Sequence, residues 1–407
     1  MSDLSNFDQI IIALTRARED TFKILDWICD PLDLFRRANP AFRPLFWHLG
    51  HIAAFEEWWF LRKLRGAPAI NPHFQLIFDP IKTPRDHPDE HLIREEIEEY
   101  VALVRSRTLT ADLDQADPYF LRLVLEHELQ HQETLAMLMQ MLPPERKRSP
   151  FRPPEVGPGA KTSSNETVSI PAGRYQIGAR RAPFVYDNEE PQHEIELEEY
   201  AVDKYLVTNR EYEEFIKAGG YEDRKLWSDE GWEWKEREAA TKPEYWLGEG
   251  PWQIQQMFAT RDVAAIADHP VTGVSWHEAM AYTQFAGKRM LTEEEWEAAA
   301  SVVSAANCCG QYPGTTPVGA IEGNQTASGC FDMTGNLWEW TSTTFGPYPG
   351  FEAHPYPEYS ELWFDGDHRV LRGGSWMTQH PVTRITFRNF FRSQFRFAFS
   401  GIRGARS

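Results

Sequence analysis

The chain has 407 residues, enough for two hydrophobic cores rather than one, and its 61 acidic against 42 basic side chains leave a formal net charge of -19. That excess of negative charge argues against nucleic acid or an anionic membrane as the main partner, and no apolar run approaches the length of a membrane span. Cys29, Cys308, Cys309 and Cys330 are too few and too scattered for a disulfide framework, and residues 1–16 lack a cleavable signal pattern, so a cytoplasmic setting is expected.

The text from about residue 7 to 141 has helical periodicity. Residues 10–28 are periodic and apolar, 42–64 carry Leu45, Phe46, Leu49, Ile52, Phe55, Trp58, Trp59 and Leu61, 93–104 form a shorter charged amphipathic piece, and 119–141 are strong helix formers. Pro31, Pro40, Pro80, Pro84, Pro88 and Pro118 punctuate the joints, so residues 1–142 are predicted to fold as a small helical bundle. Residues 143–165 are rich in Pro, Gly and charge and predict a linker. From 166 to 407 short β-like runs (168–173, 193–197, 370–376) alternate with turns and Gly/Trp clusters, with helices near 209–217 and 275–287, which predicts an α+β domain with much irregular structure.

The most informative string is His127-Glu128-Leu129-Gln130-His131. Histidines at i and i+4 stand one helical turn apart, so both imidazoles can reach one ion. The string also fits the zinc-peptidase pattern H-E-x-x-H, with Glu128 as base. The extended motif's Gly and third His are missing, however, and no second helix offers a Glu ligand, so a zinc hydrolase is a minor reading. Trp47-His48-Leu49-Gly50-His51-Ile52 supplies two further imidazoles on another helix, and ligands in bundles project inward from facing helices. Three neutral imidazoles without a carboxylate suit Fe(II), Zn(II) or Cu(II), and donor chemistry alone does not choose among them. Open positions on such an ion favour catalysis over a structural role.

The second half carries specific strings in a fixed order: Tyr205–Asn209, His269–Trp276, Gly287–Glu297, Asp332–Trp340, Leu371–Trp376 and Gly401–Arg403. Together they resemble the formylglycine-generating-enzyme (sulfatase-modifying factor) domain, which implies a C-type-lectin-like fold over about 166–405. Most of these Trp and Gly residues pack and turn a fold poor in regular structure, so they name the fold and not the reaction. Formylglycine-generating enzymes use paired cysteines near the C-terminus, and residues 388–403 contain none, so that activity is excluded.

With the bundle in front, the whole chain resembles the EgtB-like sulfoxide synthases of ergothioneine biosynthesis. The resemblance implies a DinB-like four-helix bundle followed by the C-type-lectin-like domain, with a non-heme Fe(II) on His51, His127 and His131 and O2 as co-substrate. His48 is then a residue that supports a ligand from behind or simply packs. It also implies that Gln130 contacts the substrate imidazole, that Asn389 and Phe390 in Phe387–Phe391 bind substrate, and that Tyr356, in Tyr356-Pro357-Glu358-Tyr359-Ser360, delivers a proton or an electron. Arg85, Arg392 and Arg396 are weaker candidates for a donor carboxylate. Members that use γ-glutamylcysteine carry an acidic residue where this chain has Phe391, which cannot pair an ammonium group; cysteine or another thiol or selenol stays open as the donor. The implied reaction is oxidative C–S bond formation on the imidazole of hercynine, the betaine of histidine. Histidine as acceptor (the ovothiol type) and a selenium donor (the selenoneine type) are the nearest alternatives, ahead of a zinc hydrolase or a non-enzymatic binding module. The expected partners are small molecules, and the oligomeric state is not legible.

Overall fold

The helical periodicity of the first part folds as α1 (Phe7–Leu25), α2 (Leu45–Glu56), α3 (Pro72–Ile77), α4 (Arg94–Thr110) and α5 (Pro118–Gln140). The computed structural model describes residues 7–83, 92–111, 117–150, 166–180, 184–354 and 356–407, and the chain divides into two compact units, Met1–Pro150 and Phe151–Ser407. Helix starts follow local chemistry. The Asn71 side chain accepts the N–H groups of His73 and Phe74 ahead of α3, and Asp117 caps α5, with Pro following each cap at the first helical position. Every residue of α2 is buried, so α2 is the central helix; it packs on α4 and α5, while α1 packs on α5.

Two features depart from the sequence reading of this unit. The helix expected over 42–64 is α-helical only to Glu56 and then widens into a π-helical stretch, Glu57–Leu64. There the buried Glu57 carboxylate accepts from Tyr100 Oη (2.5 Å), Gln75 Nε2 (2.8 Å) and the Ile70 N–H (2.6 Å). The Pro-rich segment from 143 stays with the first unit as far as Pro150. Lys147 buries its ammonium on the Met139 and Leu142 carbonyls (2.7 and 2.8 Å) at the end of α5, Arg146 pairs with Asp33 (3.1 Å), and the Arg148 N–H bonds the Trp27 carbonyl (2.8 Å). Side chains that read as solvated linker therefore satisfy the open carbonyls of a helix end.

A layer of buried charge ties the four long helices together. Arg18 of α1 bonds Glu128 of α5 (2.7 Å) and Glu56 of α2 (3.1 Å), and Arg105 of α4 bonds Glu56 (2.9 Å) and Glu128 (3.0 Å). Two guanidinium groups against two carboxylates leave the layer neutral. Burial by itself would raise Glu56, but Arg105 and Arg18 outweigh it and hold its carboxyl below the usual range.

The second unit is built from short strands. One sheet has the order β1 (Thr167–Ile170), β4 (Tyr200–Asp203), β13 (Gly404–Arg406), β8 (Arg289–Met290), with every pair antiparallel. A second has the order β11 (Asn389–Arg392), β10 (His368–Arg372), β9 (Trp338–Thr344), β12 (Ser400–Gly401), the last pair parallel. β2 (Gly173–Ile177) and β3 (His193–Leu197) form a two-stranded sheet, and β5 (Trp246–Leu247), β6 (Gln253–Gln255) and β7 (Thr260–Asp262) form a three-stranded one. The helices are α6 (Asn209–Lys217), α7 (Asp229–Arg237), α8 (Trp276–Phe285) and α9 (Glu293–Ala299). The short α7 and α9 were not read as helices from sequence.

The motif strings explain this framework. Thr208/Glu211, Ser275/Glu278 and Thr292/Glu295 are capping boxes that start α6, α8 and α9. Arg403 forks onto Glu339 (2.7 Å to each oxygen), Trp296 Nε1 donates to the same carboxylate (2.9 Å), and Arg388 forks onto Glu293 (2.8 Å twice). The run expected as strand over 370–376 stops at Arg372 because Gly373 and Gly374 have φ of +97° and +85°. A Cβ on Gly373 would lie 2.6 Å from the Met333 carbonyl oxygen, so only glycine fits that approach.

Candidate metal centre

The three histidines expected as ligands meet inside the first unit. His51 comes from the central helix α2, and His127 and His131 come from one face of α5. One ring nitrogen from each lies within 4.8 Å of the others, and the ring centroids are 4.5 to 5.0 Å apart. No carboxylate joins this cluster among the described residues.

Neighbouring groups fix the rings. His51 Nδ1–H donates to the Phe78 carbonyl (2.7 Å), which keeps the proton on Nδ1 and leaves Nε2 as the coordinating nitrogen. Phe78 can sit there because residue 50 is glycine; a Cβ at Gly50 would lie 2.2 Å from the Phe78 ring. Phe55 stacks on His127 (3.7 Å, 11°) and Trp47 on His51 (5.0 Å, 10°). His48 Nδ1 lies 3.2 Å from His131 Nδ1, so His48 supports a ligand ring, one of the two roles expected of it. Sequence spacing placed His48 beside His51 but carried no signal for this contact or for the Phe78 carbonyl.

Burial suppresses the charged form of each ligand. It lowers His51 to about 4, with Phe78 and Asp79 opposing, and it lowers His127 and His131 well below the ordinary value, helped by the neighbouring imidazoles. All three are therefore neutral, the state that binds metal. His127 Nδ1 is shut off from solvent without a hydrogen-bond partner among the described residues. Buried ring nitrogens are normally paired, so this orphan marks a place for a further partner such as a cation. Neutral nitrogen donors with room for additional ligands fit a borderline divalent ion.

The hydrolase reading fails on Glu128. Its carboxylate is turned into the buried charge layer and engaged by Arg18, Arg105 and Thr21 (2.7, 3.0 and 3.0 Å), so it is not available as a base. Gln130, next to His131, is half-buried, and its Nε2 donates to the Glu126 carbonyl at 3.4 Å.

In the second unit, Tyr356 immediately precedes a short 3-10 turn, Pro357–Tyr359, and its ring lies 6.3 Å from Tyr359. Tyr359 stacks on Tyr186 (3.9 Å) and meets the edge of Phe390 (6.2 Å), and Phe390 stacks on Phe345 (4.0 Å). Tyr356, Phe390 and Asn389 thus belong to one aromatic region, with Asn389 at the start of β11 accepting the Phe390 N–H (3.0 Å). Arg392 is half-exposed and already pairs with Asp367 (2.5 Å) and Asp365 (3.4 Å). Arg396 is not open to a donor carboxylate as expected: it is locked onto Glu278 (2.9 Å) and Glu244 (3.0 Å). Arg85 lies outside the described residues.

Comparison with known proteins decides the family. Residues 152–407 match the sulfatase-modifying factor enzyme 1-like domain. The hercynine oxygenase of Mycobacterium tuberculosis is 32% identical over 97% of this chain and 98% of its own length, and that of Mycolicibacterium smegmatis is 33% identical over 96% of each. The chain belongs to the hercynine oxygenase family. Because the match to these oxygenases is nearly end to end, it includes the helical unit with its three histidines. The formylglycine-generating enzyme of Mycobacterium tuberculosis, at 27% identity, matches only 45% of this chain. No helix of this family member is long and apolar enough to cross a membrane among the described residues.

Proposed function

We propose that the chain is an iron(II)- and dioxygen-dependent sulfoxide synthase that joins the sulfur of a small thiol to the imidazole of hercynine, on the path to ergothioneine. The observation that carries this reading is the carboxylate-free cluster of the buried His51 and the half-buried His127 and His131, in a chain related along its whole length to proteins named hercynine oxygenase. We read the first unit as a DinB-like bundle, the second as a C-type-lectin-like domain, and the setting as cytoplasmic. In the overall reaction an imidazole C–H, a thiol S–H and O2 become a C–S bond bearing one oxygen, and water; four electrons pass from carbon and sulfur to O2.

Iron(II), when bound, supplies open coordination positions and a redox centre where the imidazole, the sulfur and dioxygen can converge. The residues of the chain do the rest. Phe78, His48 and Phe55 hold the ligand rings so that binding requires little reorganisation. Neutral ligands leave the metal's positive charge undiminished, which favours the donor as thiolate. Gln130, adjacent to His131 on α5, is assigned to orient the substrate imidazole. Asn389 and Phe390 are assigned to substrate binding, and the Tyr356 hydroxyl to proton delivery. Arg85 and Arg392 remain weaker candidates for a donor carboxylate. Phe391, stacked on Phe395 (4.4 Å), offers no charge to an ammonium group, which favours cysteine over γ-glutamylcysteine as donor.

The test is oxygen uptake by anaerobically Fe(II)-loaded protein given hercynine with either thiol, the products being identified by mass spectrometry. A hercynyl sulfoxide that disappears in His51→Ala supports the reading. Uptake yielding only the donor's sulfinic acid, or none, would reject this substrate pair and turn attention to histidine as acceptor or a selenium donor.

A further inference from the structure

A second ligand cluster lies in the other unit, in the irregular segment between α9 and β9. Cys308 and Cys309 are adjacent in sequence, and the fold brings His380 to them from a 3-10 turn, His380–Val382. Cys309 has φ of +58°, an uncommon conformation for a residue with a side chain. Backbone bonds from Cys309 N–H to the Thr378 carbonyl (3.0 Å) and from Gly310 N–H to the Trp376 carbonyl (2.8 Å) hold it there. In this arrangement the two sulfurs lie 3.5 Å apart, and Cys308 Sγ is 3.8 and 3.9 Å from the two ring nitrogens of His380. One donor atom from each of the three residues lies within 4.8 Å of the others.

We propose that Cys308, Cys309 and His380 form a site for a thiophilic divalent cation of the zinc class, separate from the three-histidine centre. The spacing is close to what such an ion imposes. With tetrahedral angles and ordinary zinc bond lengths, two sulfurs sit about 3.8 Å apart, and a sulfur and an imidazole nitrogen about 3.6 Å. Two sulfurs and one nitrogen also form a softer donor set than three imidazoles, so the two sites prefer different metals. His380 is exposed and Cys308 is buried, so the ion would enter from the His380 side and keep water as a further ligand. Binding exchanges two S–H protons for one M²⁺, with no change of oxidation state. The ion would clip the long irregular segment to the chain that follows the Arg372-Gly373-Gly374 turn.

The experiment uses the full-length, reduced, metal-free protein titrated with Cd²⁺ and followed by thiolate-to-cadmium charge-transfer absorption, to which imidazole ligands do not contribute. One equivalent is expected to develop the band in the wild type and in His51→Ala alike, and Zn²⁺ is expected to displace it. Cys309→Ser should abolish the band. His380→Ala, at an exposed position that leaves the fold intact, should weaken cadmium binding at least about tenfold. Absence of the band in the wild type, its survival in Cys309→Ser, full affinity in His380→Ala, or failure of Zn²⁺ to compete would each overturn the assignment.

Discussion

At the scale of single residues, the candidate metal centre depends on groups outside its three histidines. Gly50 admits the Phe78 ring, and the Phe78 carbonyl orients His51. Gly50→Ala is expected to push Phe78 aside, free the His51 ring and weaken divalent metal binding by about 10- to 100-fold while leaving helix content unchanged; equilibrium titration with Fe(II) or Co(II) measures this. The buried ligands also make the metal-free protein acid-sensitive. His51 has a folded value of about 4 against the ordinary 6.5, so below 6.5 the unfolded chain takes up a proton that the folded one refuses. Its contribution is complete above pH 6.5 and is lost as pH falls toward 4, by roughly 3 kcal/mol. Urea unfolding of metal-free protein across that range should show the loss, with a shallower slope in His51→Ala; an identical slope would mean that His51 is not the source. For Tyr356, assigned to proton delivery, replacement by Phe should divert product from sulfoxide to the donor's sulfinic acid, and an unchanged sulfoxide yield would remove that role.

At the scale of elements, the buried charge layer keeps α2 and α5 in register, and so keeps His51 opposite His127 and His131. Arg105→Met leaves Glu56 and Glu128 with Arg18 alone. The expected loss is about 3–5 kcal/mol in denaturant unfolding, partly recovered by adding Glu128→Gln, because the cost lies in the uncompensated buried charge. Little of this was legible beforehand. The apolar spacing of 10–28, 42–64 and 119–141 announced the helices, but nothing in it singled out Arg18, Glu56 or Arg105. Glu128 even read as a candidate base, because its position beside His127 is local information while its partners lie 23 and 110 residues away. In the second unit, α7 escaped notice because Asp229-Glu230-Gly231-Trp232 looks like a turn, and Ser228 supplies the cap that makes it a helix.

At the scale of the whole molecule, two compact units need not unfold as one cooperative step. A metal that binds only the folded first unit should raise the transition belonging to residues 1–150. At a hundredfold excess over its dissociation constant the gain is about 2.7 kcal/mol. Calorimetry with and without Co(II) should show that shift in the wild type and lose it in His51→Ala. A shift that persists in the variant would place the stabilising ion elsewhere, with the Cys308, Cys309 and His380 cluster the next place to look.

By itself the sequence determined what is encoded locally or by exact strings: the helical periods, the i and i+4 histidines of α5, the capping boxes and the motif order that marks the family. Only the tertiary structure decided which groups converge from distant parts of the chain. It brought His48 to His131, the Phe78 carbonyl to His51 and His380 to the paired cysteines, and it bound Glu128, Arg396 and Arg392 to partners. The physical reason is the same throughout. A buried or ligating group needs partners supplied by packing, and sequence spacing reports neighbours along one element but not across several.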